Sequence, residues 1–302
     1  MDIQDLINSK IGAYFSIVIS RTLPPALGYR VGHLTARLLS LFQNSSLIRS
    51  IRCNQWVVHD ADLSKKEQLK QARAVLGHAS HCYYDLYHSL SDQDLIQRFV
   101  PRTPAIENFI RKTQSMAGTL VVSPHLSNFD LVVTALAMYG FQAKILTLEN
   151  PQGAYQIQNK IRISSGLDVT PLENAGVYQE TIKHLKAGGI AATAVDRPVA
   201  NRKPEHQIPF FGRPSALPVG HINLALAADV PITVVAANMT PDGSYRLLHS
   251  EPIQLERLTN RIETVIHNAK LVLSVMEEFI RQAPEQWLMY YPVWPGAMEE
   301  IT

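Results

Sequence analysis

Apolar residues along this chain recur at two different spacings, and the change from one to the other falls near residue 118. Before that point they return every three to four positions, the period of a helix with one buried stripe. In residues 3–42 the stripe runs through Ile3, Leu6, Ile7, Ile11, Tyr14, Phe15, Val18 and Ile19, then Leu27, Val31, Leu34, Leu38 and Leu41. Pro24-Pro25 interrupts it, which predicts one or two helices broken there. A polar break at residues 60–64 precedes a longer helical pattern over 65–88, and Pro101 and Pro104 lead into another over 105–116.

From Gly118 onward, short β-rich runs alternate with helical stretches. Strands are predicted at residues 120–122, 143–148, 190–195 and 231–237, with a short one at 168–171; helices are predicted at 128–138, 155–163, 177–186 and 217–228. Residues 245–248, after Asp242-Gly243, read as a hairpin strand, and 259–281 as a final amphipathic helix. Such alternation predicts an α/β fold, with a central, mostly parallel sheet flanked by helices and joined by right-handed crossovers. Residues 1–112 form a helical N-terminal region and 113–302 an α/β core, together one structural unit. No internal repeat, low-complexity tract or flexible linker is visible.

Charge sharpens this division. The net charge is only +2, yet residues 1–112 hold 14 Lys and Arg against 9 Asp and Glu, while residues 113–302 hold 14 against 17. Apolar helices bearing scattered arginines, such as Arg30 and Arg37, either pack on the protein's own core or lie in a membrane interface. Anionic headgroups favour the second arrangement. No run reaches the ~20 apolar residues of a spanning helix; residues 11–19 come nearest and are broken by Arg21 and Pro24. The same run lacks a basic start and a cleavage site, so it is not read as a signal peptide and an intracellular protein is expected. Cys53 and Cys82 make neither a disulfide framework nor a metal pattern. His78, His81, Asp85 and His88 share one side of the 65–88 helix. Tyr83, Tyr84, Leu86 and Tyr87 are interleaved and no second ligand cluster follows, so a packed aromatic helix is expected there, with no metal.

Candidate chemistry concentrates in residues 118–131, GTLVVSPHLSNFDL. A strand ends at Ser123-Pro124, His125 follows it, Ser127 or Asn128 caps the next helix, and Asp130 lies in that helix's first turn. A carboxylate five residues after a histidine, across a tight loop, is one way to hold an imidazole as a general base. A carboxylate in a first helical turn is also favoured by the helix dipole alone. Ligands of open α/β sheets bind beyond the carboxyl ends of the strands, and Asp196-Arg197 follows the predicted strand 190–195 at that edge. Beyond it come Asn201-Arg202-Lys203, His206 and Pro209-Phe210-Phe211-Gly212. Polar groups beside an aromatic wall suit a substrate with a charged head and an oily tail. Arg162 is a further candidate anion contact. G-x-S-x-G, a phosphate loop and a dinucleotide fingerprint are all absent. A base without a protein nucleophile points to direct transfer, in which His125 deprotonates a substrate hydroxyl that attacks an activated carbonyl.

The ordered set H-L-S-N-F-D, R-I-S-S-G (Arg162 to Gly166), A-V-D-R, P-F-F-G, V-P-I-T-V-V and P-E-Q-W resembles the lysophospholipid acyltransferase superfamily. It is most similar to the bacterial branch containing lipid A late acyltransferases and phosphatidylinositol mannoside acyltransferases. The resemblance runs from about residue 51 to 294. It implies transfer of a fatty acyl chain from acyl carrier protein or a coenzyme A thioester to a hydroxyl of a membrane glycolipid or lysolipid, at the cytoplasmic face of the bacterial inner membrane. His125 would be the general base and Asp130 its partner, with Arg162 at the acceptor and Asp196 a third acidic site residue. Arg197, Asn128, Phe211 and Gly212 complete the expected substrate-binding set. No metal or bound redox cofactor and no nucleic-acid partner are expected. The rival readings are an esterase or thioesterase using the same dyad on water, and a non-catalytic lipid-binding protein of the same fold.

Overall fold

The computed structural model describes residues 10–90, 92–147, 153–172, 174–198 and 207–301. The hydrophobic run that opens at Gly118 becomes β1 (Thr119–Ser123), the strand around which the sheet is assembled. It pairs in parallel with β4 (Ile190–Ala194) on one side and β7 (Ile232–Met239) on the other. Outside β4 lie β2 (Lys144–Thr147) and β3 (Asp168–Pro171), also parallel. Outside β7, β8 (Tyr245–His249) runs antiparallel, giving the order β3-β2-β4-β1-β7-β8. The predicted α/β class and every predicted strand are therefore present. β1 is covered on both faces, which is why its sequence is continuously apolar rather than alternating. Gly118 permits that position: its φ is +103°, and a side-chain carbon there would come within 2.0 Å of the Leu185 carbonyl oxygen.

The helices that follow β1 keep the predicted periodicity. They are the connecting helices α7 (Phe129–Met138), α8 (Ala154–Ser164), α9 (Val177–Lys186) and α10 (Gly220–Ala228), and α11 (Arg261–Arg281) after the last strand. Before the sheet come α1 (Lys10–Thr22), α2 (Pro25–Leu39), α3 (Ser46–Val58), α4 (Lys65–Ser89), α5 (Gln93–Phe99) and α6 (Pro104–Gln114). Pro25 opens α2 at its first position, where a missing N–H costs nothing, so the proline pair separates two helices. Ser64 and Glu67 form a capping box that starts α4. Among the described residues no helix is long and apolar enough to cross a membrane.

Three features lie where no periodicity announced them: the short α5, α3 and a β-hairpin. α3 is buried nearly all round, with Arg52, Asn54 and Gln55 inside as well as Leu47, Ile48 and Ile51, so it has no polar face to mark a period. The hairpin is small and antiparallel, made of β5 (Ile208–Phe210) and β6 (Arg213–Ser215), and turns through Phe211 and Gly212, both at positive φ. On α4, the histidines considered above as metal ligands bond within the protein. His78 Nε2 meets the Ser127 hydroxyl at 2.9 Å, His81 pairs with Asp85, and His88 bonds the Ser20 carbonyl at 2.7 Å. Asp85 is fully buried and accepts the hydroxyls of Tyr29 and Tyr245.

Two histidines are packed into this core uncharged. Burial pushes His78 from its ordinary 6.5 down to about 3 and His221, in α10, down to about 4. Below pH ~6.5 the unfolded chain binds protons that the folded chain refuses. Stability is thus kept above that pH and declines as pH falls toward about 3. His221→Leu should make the urea midpoint less dependent on pH between about 6.5 and 4; a pH dependence identical to that of the parent would contradict this account.

Candidate active site

Register decides what meets His125. Ser123 at the end of β1 is paired with Ala194 at the end of the parallel β4. Two residues further along each chain stand His125 and Asp196, level with one another. The His125 ring nitrogen Nδ1 lies 2.6 Å from Asp196 Oδ1, and the His125 backbone N–H donates to Oδ2 at 2.8 Å. Trp287 donates its indole N–H to the same Oδ2 at 2.7 Å. Asp196 is fully buried, whereas the His125 side chain is one-fifth exposed. A carboxylate only accepts, so the proton between the two residues sits on Nδ1 and the basic lone pair is on Nε2.

The expected pairing of His125 with Asp130 is not what the fold builds. Asp130 points toward α8, where its Oδ1 takes the Arg162 guanidinium through Nε at 2.8 Å and through its terminal nitrogen at 2.6 Å. The strand extension had already committed His125 to Asp196, and α7 begins at Phe129, carrying Asp130 around the helix toward its neighbour. Arg162 also donates to Asn159 at 2.9 Å. Burial by itself would weaken the arginine's charge, but Asp130 and Tyr155 more than offset it and hold its pKa above the ordinary value. Both side chains of the ion pair are almost wholly buried.

The loop between β1 and α7 is held from two sides. On one side, Ser127 (φ +51°) donates its N–H to the Gln286 carbonyl at 2.8 Å, and the His125 carbonyl accepts from Leu288 N–H at 2.8 Å. On the other, Asn128 donates to the Cys82 carbonyl of α4 at 2.9 Å while its side-chain oxygen caps α7 through Leu131 N–H. Asn128 therefore shapes the loop rather than lining a cavity. Buried polar residues of α3 fix the far end of the C-terminal segment: Asn54 bonds the carbonyls of Met289 and Tyr291, and Gln55 that of Pro284.

A cavity of about 100 Å³ lies between the sheet and α7. His125, Ser123, Thr147, Tyr155 and Arg162 contribute its polar lining, and Phe129, Val132, Leu136, Phe141 and Ile145 are among its apolar lining residues. Phe211 and Gly212, expected at the substrate, are not part of this lining. Phe211 is buried against Phe210, Trp287 and Trp294, with Arg281 4.8 Å above its ring. Its N–H bonds Glu277 at 2.6 Å. Burial raises the pKa of Glu277, offset in part by that N–H. A tight hairpin rich in aromatic side chains buries them together, and α7 and β2 supply much of the apolar lining of this cavity. Arg197 lies flat on Tyr291, its guanidinium carbon 3.9 Å from the ring centre. The polar stretch containing Asn201, Arg202, Lys203 and His206 falls outside the described residues.

A family model described as bacterial lipid A biosynthesis acyltransferase matches residues 91–295 of this chain. The chain belongs to that acyltransferase family. The comparison with curated proteins returns no match. In this acyltransferase the matched span takes in His125, Asp130, Arg162, Asp196 and Trp287, and leaves out α1–α4. Trp287 is the site residue to which sequence reasoning assigned no role. It was visible within P-E-Q-W, but nothing in one dimension says that its N–H reaches a carboxylate 91 residues away.

The buried ion pair carries a prediction of its own. Removing one partner leaves an uncompensated buried charge, so Asp130→Ala should destabilise the acyltransferase by about 3–5 kcal/mol in urea unfolding. Removing both charges with Asp130→Ala and Arg162→Leu should recover part of that loss. A double variant as unstable as the sum of the two singles would mean that the residues do not act as a pair.

Proposed function

We propose that this chain moves a fatty acyl group from a thioester, carried by acyl carrier protein or coenzyme A, to a hydroxyl of a membrane glycolipid or lysolipid. The observation that carries the reading is the His125–Asp196 pair: a base with its tautomer fixed, on a histidine that lines an apolar-walled cavity. No serine, threonine or cysteine is hydrogen-bonded to the His125 ring among the described residues. The attacking oxygen then comes from the acceptor. Nε2 takes the hydroxyl proton as that oxygen bonds to the thioester carbon, while Asp196 stabilises the imidazolium. When the C–S bond breaks, the leaving thiolate recovers the proton from Nε2. Negative charge on the carbonyl oxygen would be met by backbone amides in the first turn of α7. Among the described residues, Arg162, with Asp130 holding it, and Arg197 on Tyr291 offer positive charge to anionic parts of the substrates. The cavity is smaller than the roughly 300–1,000 Å³ of a typical ligand site, so an alkyl chain entering it would have to part α7 from the sheet.

We further propose that α1 and α2 rest on the membrane that supplies the acceptor, on the cytoplasmic side. They expose Tyr14, Phe15, Val18, Leu34 and Leu38, followed by Leu41 and Phe42. Residues 10–58 contain six Lys and Arg and no Asp or Glu. Arg21, Arg30 and Arg37 have no carboxylate partner among the described residues. An exposed apolar face among unpaired arginines suits an anionic lipid surface. α1 packs against α8, the helix that bears the cavity-lining Tyr155 and Arg162.

His125→Ala should abolish acyl transfer with the fold retained, and Asp196→Asn should lower it by roughly 10²–10⁴. The measurement is mass spectrometry of total lipids and of a labelled acyl thioester, with circular dichroism as the fold control. Transfer near the parental rate in His125→Ala would overturn the reading. Label released only as free fatty acid would point to hydrolysis, and thioester binding without turnover to a lipid-binding protein. For the membrane face, the parent should co-sediment with vesicles containing phosphatidylglycerol more than with phosphatidylcholine alone. Phe15→Glu with Leu38→Glu should release most of it at an unchanged melting temperature; binding that survives both changes would place the contact elsewhere.

A further inference from the structure

We infer that Trp287 is a positioning residue for the proton transfer, and that the segment carrying it sets the geometry of both members of the His125–Asp196 pair. The inference rests on His125 being the base, as proposed above.

The argument begins with the orientation of a buried carboxylate. Asp196 is fully buried, so its oxygens are directed by the protein donors around them. Oδ2 takes two, the His125 backbone N–H at 2.8 Å and the Trp287 indole at 2.7 Å. With that oxygen occupied, Oδ1 is the one turned to the His125 ring, at 2.6 Å. Deleting the indole N–H leaves Oδ2 with a single donor that lies on the histidine side. The carboxylate is then free to rotate toward the backbone amide and away from Nδ1.

Trp287 can act as a fixed donor because it is itself immobilised. Its ring is 1% exposed and packs edge-on to Phe210. The preceding residue, Gln286, clasps the end of β7 through its side chain, which donates to the Met239 carbonyl at 3.1 Å and accepts from the Met239 N–H at 2.8 Å. Gln286, Trp287 and Leu288 together bracket the histidine loop. The Gln286 carbonyl accepts from Ser127, Trp287 lies opposite Leu126 in an antiparallel bridge, and Leu288 donates to the His125 carbonyl. One short segment thus grips the acid with its side chain and the base with its backbone. A shift of this segment moves both partners, while loss of the indole N–H releases only the acid.

A neighbouring tryptophan supplies a matched control. Trp294 is also buried and donates its indole N–H, but to the Phe210 carbonyl at 3.1 Å. Trp287→Phe and Trp294→Phe each remove one buried indole hydrogen bond and shrink one ring. The first should lower kcat by roughly 10–100-fold, as expected for a hydrogen bond to a charged group, with KM changed by less than about threefold. It should also shift the acid limb of the kcat/KM profile and displace or broaden the downfield Nδ1 proton of His125 in the NMR spectrum. Trp294→Phe should lose comparable thermal stability while keeping that proton and the pH profile of the parent. The inference is overturned if Trp287→Phe keeps the parental Nδ1 resonance and kcat, or if the two variants behave alike in both. The NMR readout needs no substrate, so it decides the positioning role even if no acyl transfer is found, an outcome that would count against the functional reading alone.

Discussion

A fully buried carboxylate, satisfied by a histidine ring, a backbone amide and an indole, is the constraint around which the functional end of this protein is organised. Burying an unpaired charge costs far more than any one hydrogen bond returns. Asp196 is therefore held by three donors, two from His125 and one from Trp287, and the three residues come from different parts of the chain. β4 delivers the acid, β1 delivers the base, and the segment after α11 delivers the third partner. The pairing of β1 with β4 is what makes the first two level.

A second buried acid sits close by in sequence and has a different task. Asp130 is matched by Arg162 in an ion pair that joins α7 to α8. Two carboxylates near one site, one facing an imidazole and one facing a guanidinium, are separated in role by their partners rather than by their chemistry. The first fixes which ring nitrogen carries the proton. The second keeps a guanidinium charged at the cavity wall despite its burial.

The surroundings suit an oily substrate. The cavity beside His125 has apolar side chains of α7 and β2 in its wall, and α1 and α2 turn an apolar, acid-free face outward. The aromatic residues of the β5–β6 hairpin, by contrast, are spent inside. They pack around Trp287 and so support the acid from behind.

Sequence periodicity alone determined the α/β class, the six strands of the sheet and the proline break between α1 and α2, because each is written in local spacing and local backbone chemistry. It also brought His125 and Asp196 to the same sheet edge, since residues that follow parallel strands must collect there. It did not reveal α3, whose burial on all sides removes the contrast on which periodicity depends. It misassigned the partner of His125, because a spacing of five residues across a strand, a loop and a helix start does not fix which way the second side chain turns. That choice was made by strand register and by the competing pull of Arg162, 32 residues further on. The role of Trp287 was likewise decided only in three dimensions: a hydrogen bond between residues 196 and 287 depends on where two distant segments come to rest, and no local pattern encodes it.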